Sequence, residues 1–193
     1  MKTGLYFGSF NPIHIGHLAI ANYMLEFTDL LELWFVVSPH NPLKKKSTLL
    51  DERQRLEMVR LALGNDQRFR VSDIEFKLPQ PSYTIDTLTY LEEKFPEREF
   101  ALIMGSDNLR TIHKWKNIEN ILTNYQILVY PRPDYSEDEQ NIKVPNKITI
   151  TQAPLMEISS VFIRKSIKEG KDVQYFLPEK VYQYIREMHF YEK

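Results

Sequence analysis

Apolar runs rich in β-branched and aromatic residues recur along the chain at Leu5–Phe7, Leu33–Val37, Phe100–Met104, Ile127–Tyr130 and Ile148–Ile150. The middle three show no polar alternation, which is the pattern of strands buried on both faces of a sheet. Between the runs, apolar residues return at helical spacing. His17–Phe27 is apolar at Leu18, Ala21 and Leu25. Asp51–Leu63 opens with Asp51 and Gln54 in capping-box positions and stops at Gly64. Thr84–Phe95 carries Ile85, Leu88 and Leu91 on one face and ends before Pro96, and Ser160–Lys168 is closed by Gly170. Pro178, suited to a first helical turn, starts a last amphipathic segment through Val181, Ile185 and Met188. Strands alternating with helices of this length predict an α/β fold, a doubly wound parallel sheet with helices on both faces. Ligands of such folds bind at the carboxyl ends of the strands, where the strand order reverses.

With 193 residues, no internal repeat and no clean linker, residues 1–193 are expected to form a single domain. The one long polar stretch, Arg132–Asn146, reads as a solvated loop. Twenty-five basic against 26 acidic side chains leave a net charge of −1, without the basic excess of a general nucleic-acid binder. No apolar run approaches the roughly 20 residues of a membrane helix. The opening MKTGLYFGSF has only a short mixed run and no cleavage-like site, so it is not read as a signal peptide. A cytoplasmic protein with neither nucleic acid nor membrane as partner is expected. The absence of cysteine removes disulfides, thiolate metal sites and a cysteine nucleophile.

Candidate chemistry concentrates in GSFNPIHIGHL, Gly8–Leu18, which holds two of the five histidines. A metalloprotease-type pair needs histidines four apart on a helix with a glutamate between them. His14 and His17 are three apart, Gly16 intervenes and no third ligand is near, so no metal site is assigned. Ser9 lacks the G-x-S-x-G elbow that exposes a nucleophilic hydroxyl. An anion site fits better. Gly8 is placed to let the chain turn after a strand, Gly16 to allow close approach, and His17 to open a helix whose first N–H groups attract phosphate. Two imidazoles there can donate to phosphoryl oxygens. A tight strand-to-helix turn with incidental histidines remains the plainer alternative.

The same run resembles the GxFxPxHxGH signature of the nucleotidyltransferase superfamily. Ile158–Arg164, ISSVFIR, resembles the ISSxxIR element of adenylyltransferases within it. Ser160 is expected to cap the following helix and Arg164, one turn in, to offer a planar charged fork. Over nearly its whole length the chain resembles bacterial nicotinate-nucleotide adenylyltransferases. The segments that carry this are Ser82–Leu88 (SYTIDTL), Gly105–Leu109 (GSDNL), the pair Trp115-Lys116, and Arg132-Pro133 after a strand. His14 stands where phosphopantetheine adenylyltransferases usually have threonine, and no KMSKS-like loop suggests a tRNA synthetase. Two departures stand out. Asn11 replaces the family's usual aspartate, and His40 is displaced from Lys44 in the Pro-His-Lys loop, so His40 is assigned no role.

The resemblance implies a Rossmann-like nucleotidyltransferase fold and direct transfer of an adenylyl group from ATP to nicotinate mononucleotide, with no covalent intermediate. His14, His17 and Arg164 are the implied catalytic residues. Gly8, Ser9, Phe10, Gly16, Arg132, Ser159, Ser160 and Ile163 join them in binding ATP, with Lys44 on a phosphate-binding loop. Ser82, Tyr83, Thr84, Gly105, Asp107 and Trp115 are implied for the mononucleotide. Taken alone, Trp115 reads equally as a half-buried core residue, Asp107 as a helix cap, and Lys45 and Lys46 as a solvated charge run. No carboxylate cluster has metal-ligand spacing, so Mg²⁺ is expected to arrive with ATP. Transfer to nicotinamide mononucleotide or another small phosphate, or a non-catalytic nucleotide-binding module, are the alternatives. A homo-oligomer is left open.

Overall fold

A computed structural model of the chain describes residues 1–39, 49–133 and 147–193. Six parallel strands form one sheet: β1 (Lys2–Gly8), β2 (Glu32–Val37), β3 (Phe69–Ser72), β4 (Glu99–Gly105), β5 (Gln126–Tyr130) and β6 (Ile148–Ile150). Their order is β3-β2-β1-β4-β5-β6, and the register runs from Thr3 opposite Glu32 to Gly8 opposite Val37 between β1 and β2. Among the described residues, six α-helices follow the strands: α1 (Ile15–Phe27), α2 (Glu52–Leu63), α3 (Thr84–Lys94), α4 (Ile118–Asn124), α5 (Ser160–Lys168) and α6 (Glu179–Glu187).

Alternation along each strand sends side chains to opposite faces. Tyr6, Phe35, Val37, Ile103 and Leu128 pack with α1, α2, α5 and α6 through Ile20, Met24, Val59, Ile163 and Val181. Leu5, Trp34, Val36, Leu102 and Val129 pack with α3 and α4 through Ile85, Leu88, Leu91 and Ile121. This is the doubly wound α/β sheet that the apolar runs predict, with all six residues of β2 buried.

The helix stops at Gly64 (φ +56°) and Gly170 (φ +71°) use the left-handed backbone that glycine tolerates. Helix starts are less well read. The predicted start at His17 moves to Ile15, and Pro178 is the cap rather than the first helical residue. Among the described residues, five elements had no sequence assignment: β3, α4, and the 3₁₀ turns Ile74–Lys77, Ser106–Lys114 and Gln174–Phe176. β3 is a four-residue edge strand with only partly buried side chains, so it carries no apolar run to betray it.

Because every strand is parallel, every strand exits on the same edge of the sheet. The segments after Gly8, Val37, Gly105, Tyr130 and Ile150 therefore gather at one rim. Order reverses between β1 and β4, so the turns after Gly8 and Gly105 flank the crevice where such folds bind ligands.

Candidate active site

The turn after β1 is built differently from its sequence reading. Its left-handed residue is Phe10 (φ +45°), not a glycine, which costs about 1–2 kcal/mol. Packing offsets this. The Phe10 ring is 2 % exposed and meets Tyr6, Phe35 and His17 edge-on or tilted at centroid distances of 5.7, 5.4 and 5.2 Å. Gly8 is needed because a Cβ there would meet that ring at 2.6 Å. Gly16 likewise leaves room for the His14 ring, 3.1 Å from where its Cβ would be. Both glycines thus serve the protein's own side chains. Phe10 faces the core and offers a ligand only its backbone.

His14 caps α1, and the two imidazoles stack at 3.7 Å with 28° between their planes. The His14 N–H donates to His17 Nδ1 at 3.2 Å. A ring nitrogen that accepts leaves the proton on the other one, so neutral His17 presents Nε2–H as a donor. His17 is half-buried. His14 is 4 % exposed, and its Nδ1 has no hydrogen-bond partner among the described residues. Burial, reinforced by the charge of Arg132, lowers its pKa from 6.5 to about 3. His14 is therefore neutral at neutral pH and can offer a ligand hydrogen bonding rather than charge.

That shift carries a prediction. Between pH 6.5 and about 3 the unfolded chain binds a proton at His14 that the native state does not. Stability then rises with pH across this window and falls on acidification, by up to one proton of linkage. Melting temperatures across that range should fall more steeply with acid for the parent than for His14→Gln. Parallel curves would show that His14 titrates normally.

The second motif meets the first in space. Ser159, not Ser160, caps α5, accepting from the Phe162 N–H at 3.2 Å. This frees the Ser160 hydroxyl, which donates to the Pro12 carbonyl at 2.9 Å, while Arg164 donates to the Asn11 carbonyl at 2.6 Å. Ile163 is fully buried and holds α5 to the core. Asn11 is also buried; its Oδ1 accepts from the Tyr191 hydroxyl at 2.7 Å. The turn position is thus tied to the C-terminal segment as well as to α5. Lys44, His40, Lys45 and Lys46 lie outside the described residues, as do residues 134–146 of the predicted loop.

At the other crevice turn, Asp107 and Arg132 pair at 3.5 Å, and the Arg132 N–H donates to the Ser106 hydroxyl at 2.9 Å. A Cβ on Gly105 would collide with the Asp107 carboxylate and crowd Arg132. Asp107 does not cap its turn: Gly105 occupies that position. Asp107, Arg132, Met156, Glu157 and Ser159 line a groove of about 450 Å³ beside the start of α5.

Thr84 opens α3 with Tyr83 as its cap. Lys116 bridges Asp86 at 2.9 Å and lies 4.8 Å from the centre of the Tyr83 ring. This brings the predicted pair Trp115-Lys116 to the start of α3. Trp115 is half-buried, packed like Leu109 and Ile112 against the core cluster on the α3–α4 face of the sheet, so part of its ring remains available. Beneath this turn lies Glu75, 3 % exposed, accepting from the Thr87 hydroxyl at 3.0 Å. Burial raises its pKa, against hydrogen bonds from Ser38, Thr87 and Ser82. Glu75, Tyr191 and Met156 escaped sequence reasoning. A lone glutamate or tyrosine carries no signal until its neighbours are known.

The family model for cytidylyltransferase-like proteins matches residues 5–166. The chain is 60 % identical to the probable nicotinate-nucleotide adenylyltransferase of Flavobacterium johnsoniae over 193 residues, all of both chains. It is 52 % identical to that of Bacteroides fragilis over 95 % of this chain and 90 % of the other. The fold matches the Plasmodium falciparum nicotinic acid mononucleotide adenylyltransferase complexed with NaAD, with a TM-score of 0.81 at 20 % identity, covering 99 % and 97 % of the two chains. From identity of this extent and a sheet of this order, the chain belongs to the nicotinate-nucleotide adenylyltransferase family of cytidylyltransferase-like proteins.

Proposed function

We propose that the protein transfers the adenylyl group of ATP to nicotinate mononucleotide, giving nicotinate adenine dinucleotide and pyrophosphate, a step in NAD biosynthesis. The observation that supports this most is the junction of the two motifs, where Ser160 and Arg164 reach the carbonyls of Pro12 and Asn11. It sets the starts of α1 and α5 side by side, each with N–H groups and cationic or neutral donors suited to phosphate.

On this reading an oxygen of the mononucleotide's 5′-phosphate attacks the α-phosphorus of ATP. A P–O bond forms there as the bond to the β-phosphate oxygen breaks, and pyrophosphate departs. The protein positions two anions and neutralises charge between them. His17 Nε2–H and His14 serve the α-phosphate, and the arms of Arg164 not bound to Asn11 serve the outgoing phosphates. The Arg132–Met156–Ser159 groove takes the adenosine, and Asp107 a ribose hydroxyl. The start of α3 and the Trp115 ring take the nicotinate. No group of three His, Asp or Glu side chains at metal-binding spacing occurs among the described residues. On this reading Mg²⁺ enters with ATP, as part of the substrate, and keeps several waters, as is usual for this ion beside phosphates.

Pyrophosphate release from ATP with nicotinate or nicotinamide mononucleotide is the direct test; release with neither would leave only a nucleotide-binding module. We further expect Arg164→Ala to raise the KM for ATP by about 10-fold or more, the loss of a charge-assisted contact. The KM for the mononucleotide should stay within about 3-fold. Ser159→Ala should cost about 1 kcal/mol of stability as the lost cap, whereas Ser160→Ala removes only the Pro12 contact. A KM rise confined to the mononucleotide would place α5 on the wrong substrate.

A further inference from the structure

Arg55 is fully buried, the largest of the fully buried side chains among the described residues. No carboxylate forms a salt bridge with it among the described residues. It donates instead to four main-chain carbonyls: Nε to Leu50 at 2.9 Å, one terminal nitrogen to Ser9 at 2.6 Å and Ser38 at 2.8 Å, and the other to Pro39 at 2.9 Å. Those carbonyls come from three separate pieces of chain. Ser9 follows β1, Ser38 and Pro39 follow β2, and Leu50 precedes α2. A buried cation is costly, and an apolar residue of similar volume often replaces one without loss of stability. Only the planar fork of arginine reaches several acceptors at fixed angles. The position spends stability on geometry.

That geometry concerns the phosphate turn. Ser9 is the residue between the end of β1 and Phe10, the left-handed residue on whose ring His17 rests. The neighbouring exit is sewn to it twice, by the Ser38 N–H donating to the Gly8 carbonyl at 2.9 Å and by Arg55 bridging Ser9 and Ser38. From the far side, Asn11 Oδ1 accepts from the Leu50 N–H at 3.4 Å, and the Leu50 carbonyl accepts from Arg55. Both ends of the Ser9–Asn11 stretch therefore refer back to one guanidinium.

We propose that Arg55 is a positioning residue for adenylyl transfer, holding the Ser9–Asn11 stretch so that His14 and His17 stay aimed at the phosphorus under attack. It touches no substrate. Its effect falls on the transition state, because misplacement of a donor by about 1 Å costs roughly 10²-fold in rate while binding by the rest of the site persists. The proposal rests on the reaction described above for its kinetic test, but not for its structural one.

Two variants serve. Arg55→Lys keeps the charge but replaces the fork with a single ammonium, and Arg55→Met fills the space without charge. In each folded variant, kcat is expected to fall at least 10-fold, with both KM values within about 3-fold of the parent. Amide exchange is expected to quicken at least 10-fold at Phe10, Asn11 and Ile13 while the β4 and β5 amides stay protected. A purely structural Arg55 predicts something else: a lower melting temperature, uniform loosening, and parental kcat once activity is corrected for the folded fraction. Either that kinetic result or an unchanged turn would overturn the proposal. Exchange is read without substrate. A parent inactive on nicotinate mononucleotide would therefore defeat the proposed reaction, and the exchange data would still decide on Arg55.

Discussion

Alanine at position 17 is expected to lower kcat by about 10²–10³-fold, the usual cost of one donor aimed at developing charge, while the fold survives. The tautomer argument carries this prediction. Because Nδ1 accepts from the His14 N–H, Nε2 holds the proton and the ring is a donor without needing to be charged. Charge on the phosphoryl oxygens grows as the new bond forms, so the donor stabilises the transition state more than the bound substrates. The KM for ATP should therefore move little. The stacked His14 ring stays in place through its own burial, although it loses a face. A His17→Asn variant, whose amide can place an N–H nearby, should recover part of the rate. Steady-state kinetics beside thermal melts make the test. An alanine variant within a few-fold of the parent, at unchanged melting temperature, would remove His17 from the chemistry.

A strong preference for nicotinate over nicotinamide mononucleotide is the second large effect, expected at 10²-fold or more in kcat/KM. The two rings differ by a carboxylate against an amide of nearly equal size, so stacking on Trp115 cannot separate them. Discrimination must come from donors that suit an anion and would face the amide's own NH₂. The first N–H groups of α3, after the Tyr83 cap, are such donors, and the helix dipole adds about 0.3–1 kcal/mol. The larger part comes from polar groups left unpaired by the wrong substrate, which in a well-built site approaches ~10⁴-fold. Lys116 over the Tyr83 ring and against Asp86 ties the segment after Trp115 to the start of α3, which on the proposed reading would put anion recognition and stacking in one place. Trp115→Ala should harm both substrates alike and leave their ratio nearly unchanged. Equal use of both mononucleotides by the parent would sink the specificity and favour an adenylyltransferase of broader range.

How far the chain could be read follows from how local each feature is. β2, β4 and β5 are apolar after their first residue because they lie inside the sheet, and a strand buried on both faces announces itself in a one-dimensional pattern. The stops at Gly64 and Gly170 are local too, since a left-handed residue needs no distant partner. β3 was missed because an edge strand has little to bury. The capping serine was misassigned by one position. Ser159 and Ser160 are both competent caps, and the choice fell to the Pro12 carbonyl, which takes the Ser160 hydroxyl.

Hydrophobic pattern is enough for the alternation of strand and helix, and the two motifs for the kind of chemistry at the rim. Which residues touch one another is settled only by the folded chain. Gly8 reads as a turn residue and Gly16 as room for a ligand, and both turn out to make room for the protein's own rings, Phe10 and His14. Arg55 carries no signal in the sequence, yet it is buried and donates to carbonyls of three separate segments. Hydrophobic periodicity records only which face of an element is buried. A hydrogen bond between Ser160 and Pro12, or a guanidinium spanning Ser9 to Pro39, depends on parallel strands delivering distant segments to the same edge, and no local pattern records that.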